Sequence, residues 1–228
     1  MSATEAFVSL SPAPAGALRH GESGEASSAP ARSRAATRQR IVEAGTELFA
    51  REGLHAVSSA RIAKAAGVAA GTFYLHFRDK KELFREIVFA ALGRLQEAQR
   101  RATEAAGTDV AAQVRARIAE LAAFTEQNRN LITLVFGRDH EAASLGEDVL
   151  ETLRPSAEDA LRERVASGDL RGASLAVASQ VLLGMQIRVI AWWAEDPSRA
   201  TRVEVIETLC RMHPLLRPSG TGAGGDEA

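Results

Sequence analysis

Between Ile41 and Phe84 the apolar residues return every three or four positions, but glycine cuts the run twice. Ile41, Ala44, Leu48 and Phe49 make one stripe, closed by Gly53; Ile62, Ala63 and Ala66 make a second, closed by Gly67. Spacings of three and four belong to one face of a helix, and glycine behind such a stripe is the residue of a left-handed helix end. The pattern predicts a first helix from about Ala36 to Glu52 and a short second one capped by Ser58 or Ser59. Val68 plugs the turn that follows, and a third helix occupies roughly Ala70 to His76. Asp79 opens a fourth, with Glu82 three residues later completing a capping box. That helix is expected to pass Leu95 towards Thr103.

The rest of the patterned chain is also helical. Ala, Leu, Glu and Arg dominate, and alternating β-branched runs are absent. Further helices are expected over Thr108 to Glu126, Arg129 to Phe136, Gly146 to Ala166, Ala173 to Ala194 and Arg199 to Met212. Pro155 should kink the third of these by removing a backbone donor. The fold class is therefore all-α, with about nine helices. Residues 1–31, rich in Ala, Ser, Gly and Pro, read as a disordered N-terminal extension, and 215–228 as a disordered tail. No apolar run comes near the ~20 residues of a membrane span, and the N-terminus lacks a signal peptide's basic start and apolar core. A lone Cys210 fits a reducing compartment, so a cytoplasmic location is expected.

The stretch "AAGVAAGTFYLHFRDKKELF", residues 65–84, puts an apolar and a donor face on a short piece of chain. Phe73 and Phe77 lie one turn apart and can brace a helix from behind. Thr72, Tyr74, His76 and Lys80 can donate to phosphate oxygens. Two short helices joined by a glycine turn are the helix-turn-helix pattern, whose second helix enters the major groove. Charge agrees with this placement. Ten basic side chains stand against five acidic ones between Arg32 and Phe84, although the whole chain carries a formal net charge of −1. A basic segment on an acidic body attracts a polyanion locally.

With its "IA" at Ile62-Ala63, its "AAGV" turn, its "GTFYLHF" third helix and its "DKKELF" fourth-helix start, the segment Ile41 to Phe84 resembles the TetR family of bacterial transcriptional regulators. The resemblance implies a helix-turn-helix DNA-binding domain over 32–84 and a helical ligand-sensing and dimerisation domain over 85–214. It also implies a homodimer, joined through the last two long helices, that binds a palindromic double-stranded operator. Such a protein most often represses transcription until a small-molecule effector releases it; an activator, or a regulator answering to a protein partner, is the alternative. Contacts with DNA fall by this resemblance on Ser58, Ser59, Thr72, Tyr74, His76 and Lys80, with Arg61, Ala70, Gly71 and Leu75 towards base edges. Position 61 is often acidic in relatives and position 70 often Lys or Gln, so Arg61 and Ala70 are departures. The third helix would then read thymine methyls and DNA shape, with Arg61 as the main polar reader. Arg32, Arg34, Arg38 and Arg40 are expected to add backbone or minor-groove contacts.

Beyond Phe84 the residues say less. Phe124, Phe136, Met185, Gln186 and Trp192 are candidates to line an effector pocket between helices, although large apolar side chains in a bundle are more often core. Gln186 and Arg188 are polar groups in an apolar helix and need partners. Gly184, mid-helix, would let a facing helix approach. Asp139, His140 and Glu141 are adjacent and do not converge on one point, so a polar loop is preferred to a metal site there. With no metal site, no cofactor motif, no phosphate loop and no nucleophile elbow in the sequence, the expectation is a non-enzyme. A non-specific nucleoid protein fits poorly with the acidic body. Changing Arg61 to Ala is expected to cost about 1–3 kcal/mol at the base position it reads. Binding to a panel of operator variants checks this; a loss uniform across sequences would make Arg61 a phosphate clamp instead.

Overall fold

The computed structural model describes residues 29–137, 143–166 and 174–213. Nine α-helices and no strand occur among the described residues. They are α1 (Ala29–Ala56), α2 (Ser59–Ala65), α3 (Ala70–Tyr74), α4 (Lys80–Ala105), α5 (Val110–Gln127), α6 (Arg129–Phe136), α7 (Ala143–Ala166), α8 (Leu175–Glu195) and α9 (Arg202–Met212), with a 3₁₀ turn at Pro197–Arg199 before the last. The chain divides into two compact units, Met1–Gly93 and Arg94–Ala228, so the division falls within α4.

Helix α1 begins at Ala29, earlier than the expected Ala36. The reason is local: "ARSRAATRQR" is made of strong helix formers, and Pro30 lies in the first turn, where its missing N–H has no helical partner to lose. Residues 29–31, expected to be disordered, are thus helical; the rest of that extension and the tail after His213 lie outside the described residues. Gly53 adopts φ 79, ψ 169 and breaks the helical direction, while helical bonding resumes through Ala56. That conformation is open to glycine at no steric cost.

In the first unit Ile41, Leu48, Phe49, Val57, Ile62, Phe73, Phe77, Leu83, Phe84 and Ile87 are buried. Phe49 and Phe84 meet edge to face at 5.4 Å, a geometry favoured by the ring quadrupoles. Gly45 sits where α1 and α4 approach: a Cβ there would stand 2.6 Å from Leu83 Cδ2.

The second unit packs α5, α6, α8 and α9 around Ile118, Ala122, Ile132, Ile190, Trp193 and Leu209. A smaller cluster, Ala157, Leu161, Leu182 and Leu183, lies between α7 and α8, and Met185 packs against both. Pro155 lies inside α7. Thr201 and Glu204 form a capping box that starts α9. One reading of the sequence needs amendment: α8 is, by length and composition, apolar enough to cross a membrane. Its Leu182, Leu183, Ile190 and Trp193 are buried in the bundle, while 28% of its most apolar window is buried and the larger part is not.

His213, at the end of α9, is 6% exposed. Burial first, and then the Arg117 charge, push its imidazole from the ordinary 6.5 down to about 4. The fold therefore favours neutral His213. Its contribution is complete above pH 6.5 and is lost as pH falls from about 6.5 towards about 4. Urea unfolding at pH 7 and pH 4.5 should show a loss of up to about 3 kcal/mol from this group, and His213→Gln should lose less over the same window.

Candidate nucleic-acid interface

Helix α2 starts because Ser58, in an extended conformation, accepts from the Arg61 backbone N–H through Oγ at 3.3 Å. Ile62 and Ala63 turn inward and are fully buried. The turn to α3 rests on Gly67 at φ 67 and on the Val68 N–H, which donates to the Ala63 carbonyl at 3.0 Å. The positive φ at that point is what lets two short helices cross so tightly.

Helix α3 is only five residues long. Phe73 and Phe77, both inaccessible to solvent, anchor it, with ring centroids 5.8 Å apart. On the other side Tyr74 is 59% and Leu75 72% exposed. Ala70 and Gly71 are also exposed, and Thr72 and His76 half-buried; a Cβ on Gly71 would meet nothing within 4 Å. Of the α3 residues read from the sequence as DNA contacts, Ala70, Gly71, Tyr74 and Leu75 are open to solvent and Thr72 and His76 partly so. Tyr74 keeps its ring edge on Phe73 at 5.4 Å, which limits where its hydroxyl can go. His76 Nδ1 is buried without a hydrogen-bond partner. Burial, then the charges of Arg34 and Arg38, hold its imidazole below the ordinary 6.5.

The basic side chains are less free than a sequence suggests. Lys80 Nζ donates to the carbonyls of Leu54 at 2.7 Å and His55 at 3.3 Å, closing the end of α1. Arg38 forks onto both oxygens of Glu86 and lies 4.6 Å from the Phe77 ring centroid, a cation–π position. It thereby ties α1 to α4 over the back of α3. Arg61 forks onto Glu52, with Nη2 2.8 Å from Oε1 and Nη1 bonded to Oε2. The pairings of Glu52 and Glu86 escaped the sequence reading because their partners, nine and 48 residues away, lie outside any helical spacing. At the start of α4, Asp79 accepts from Glu82 N–H at 2.8 Å, and the Glu82 carboxylate reaches back to the Arg78 N–H at 2.6 Å.

In the second unit Phe124, Phe136 and Met185 are half-buried against the main cluster, and Gln186 is half-buried beside Met185. Trp192 is 37% exposed and carries the Arg199 guanidinium 5.6 Å from its ring; the core indole is its neighbour Trp193, 1% exposed. Sequence reasoning passed over Asn128. Its Nδ2 donates to the Phe124 carbonyl at 2.8 Å, and its buried Oδ1 has no partner. Among the described residues no group of three His, Cys, Asp or Glu could hold a metal ion; Asp139, His140 and Glu141 lie outside them.

The head is thus a helix-turn-helix unit with an outward, donor-bearing third helix. Residues 41–87 match the family model for bacterial regulatory proteins of the tetR family, so this segment is similar to the DNA-binding part of that family. The segment is 49% identical over 51 residues to the HTH-type transcriptional regulator AcrR of Shigella flexneri, covering 22% of this chain and 24% of that one. It is 50% identical over 46 residues to an HTH-type transcriptional regulator of Staphylococcus aureus, covering 20% and 25% respectively. The chain thus matches about a quarter of the length of these curated relatives. The likeness of fold extends further. The fatty acid degradation regulator FadR from Bacillus halodurans superposes with a TM-score of 0.63 at 20% identity, over 84% of this chain and 95% of that one. A TetR-family regulator from Syntrophomonas wolfei gives 0.66 at 17%, over 79% and 94%. FadR from Bacillus subtilis, solved with stearoyl-CoA, gives 0.57 at 20%, over 75% and 95%.

Removing the brace should undo the head. Phe73→Ala is expected to destabilise it by about 3–5 kcal/mol, read as a lowered denaturant midpoint, with the outward helix lost before the rest.

Proposed function

We propose that this protein is a sequence-specific DNA-binding transcriptional regulator, a homodimeric repressor that grips a palindromic operator and lets go when a small molecule binds its second unit. The observation that carries the reading is the outward row Ala70, Gly71, Thr72, Tyr74, Leu75 and His76 on a helix held from behind by Phe73 and Phe77. Thr72, Tyr74 and His76 supply phosphate contacts that set register, and Ser58 and Ser59 do so from the start of α2. Leu75 and Ala70 offer apolar contact to thymine methyls, and Arg61 the polar readout. Lys80 acts mainly by closing the end of α1, with the remaining donor of its ammonium directed to backbone phosphate. The functional division is a DNA-binding domain over 32–84 and a sensing and dimerisation domain over 85–214.

Dimerisation is supported by one face of α8. Val177 and Val181 are 62% and 60% exposed, and Gly184, Arg188 and Trp192 continue the same stripe at spacings of three and four. A Cβ on Gly184 would meet nothing within 4 Å, so the notch faces outward, where a second copy can approach closely. An effector is supported by the half-buried Phe124, Phe136, Met185 and Gln186 and by the unpartnered Asn128 oxygen. The stearoyl-CoA bound by FadR of Bacillus subtilis makes a fatty acyl thioester the first effector to try.

The mechanism is a lever. Helix α4 follows directly on the reading helix and continues to Ala105, and two heads of a dimer must meet half-sites about 34–36 Å apart or a multiple of it. An effector shifts the equilibrium only through its differential affinity for the binding and released states. Selection of bound duplexes from a random pool should enrich one palindrome, and stearoyl-CoA should lower its retention. Recovery of sequences without two-fold symmetry, or of none above background, would sink the reading. In sedimentation, Gly184→Glu should shift the dimer to monomer and weaken operator binding by far more than tenfold.

A further inference from the structure

Arg61 is the polar side chain on α2 best placed to read DNA, and in the free protein it is already taken. Its two terminal nitrogens fork onto the Glu52 carboxylate, which Arg51 also touches at 3.3 Å. Those are the nitrogens a guanidinium uses to grip two phosphate oxygens, or O6 and N7 of guanine. Arg61 therefore cannot turn the same Nη1–Nη2 edge to DNA and keep both bonds to Glu52. The Arg61 side chain is 49% exposed and that of Glu52 20%, so the pair sits at the surface, where DNA can compete for it. The carboxylate is held by its own chain: it immediately precedes the Gly53 break, and the bonds from Lys80 to the Leu54 and His55 carbonyls fix the residues just beyond.

From this we infer that Glu52 is a specificity-determining positioning residue: it withholds Arg61 from the DNA backbone and so suppresses sequence-independent binding. The inference rests on the DNA-binding reading above. A phosphate approaching Arg61 must displace a carboxylate of like charge and gains only another ionic contact. On a random duplex Arg61 thus stays with Glu52. A guanine edge at the right register offers a forked acceptor pair that bears no net charge of its own, and Arg61 can exchange to it.

The test is a double-mutant cycle read as salt dependence. Wild type, Glu52→Gln, Arg61→Ala and the double variant are titrated against a labelled 30-base-pair duplex of randomised sequence over a series of salt concentrations. Glu52→Gln should bind this DNA several-fold more tightly than wild type. Its plot of log affinity against log salt should be steeper by about 0.9 per head, the signature of one added phosphate contact. In the Arg61→Ala background the same change should leave the slope unaltered. Equal gains and equal slopes in both backgrounds would make Glu52 a general repulsive charge and overturn the inference. So would an unchanged slope in Glu52→Gln. If the wild type binds no duplex even at low salt, the DNA-binding reading fails and the inference with it, an outcome distinct from the other two.

Discussion

Everything at the proposed interface depends on two phenylalanines. A helix of five residues makes too few internal hydrogen bonds to offset its nucleation, so α3 exists only because burial holds it. Phe73 and Phe77 supply about 1.5–3 kcal/mol each by transfer from water, and Arg38, stacked on Phe77 and forked onto Glu86, covers them from outside. The reading surface is therefore set by the core behind it. Its outward side chains can differ widely among proteins of this fold without moving the helix.

Electrostatics in the head follow a second rule: most cations are spoken for. Arg38, Arg61 and Lys80 each have a specific acceptor, while burial first, and then the charges of Arg34 and Arg38, lower the pKa of His76. Exposed pairs of this sort are worth about 0–1 kcal/mol to folding. Their effect is felt more in how charge is presented than in stability. Pairing leaves the excess of positive charge counted along the chain as it is, and decides which of those side chains are free to turn towards DNA.

Much of this was legible in the residues because it is local. The apolar stripes of α1 and α2 and the Phe73–Phe77 brace follow from spacings of three or four, and the cap at Ser58 or Ser59 and the glycine turn from residue type; α1 starts earlier than expected, and α3 ends at Tyr74 and not at the expected His76. The bounds of α6 agree residue for residue with the apolar run Arg129 to Phe136. Contacts outside helical spacing left no such trace: Glu52 with Arg61, Glu86 with Arg38, Lys80 with the carbonyls of α1. The second unit was legible as helices but not as a site. Trp192 and Trp193 are adjacent and alike, and only packing distinguishes the half-open indole from the buried one. Asn128 carries no sequence signal of its own, and only packing shows that its oxygen is buried without a donor.

The two apolar clusters of the second unit are joined in part by Met185. Methionine is unbranched and polarisable, and it changes rotamer at little cost, so the junction is compliant where the flanking leucines and isoleucines are stiff. A compliant side chain thus stands where the cluster between α7 and α8 meets the one built by α5, α6, α8 and α9. A branched residue at 185 would replace that adaptable contact with a stiff one, and a change of shape in one cluster would then be passed to the other.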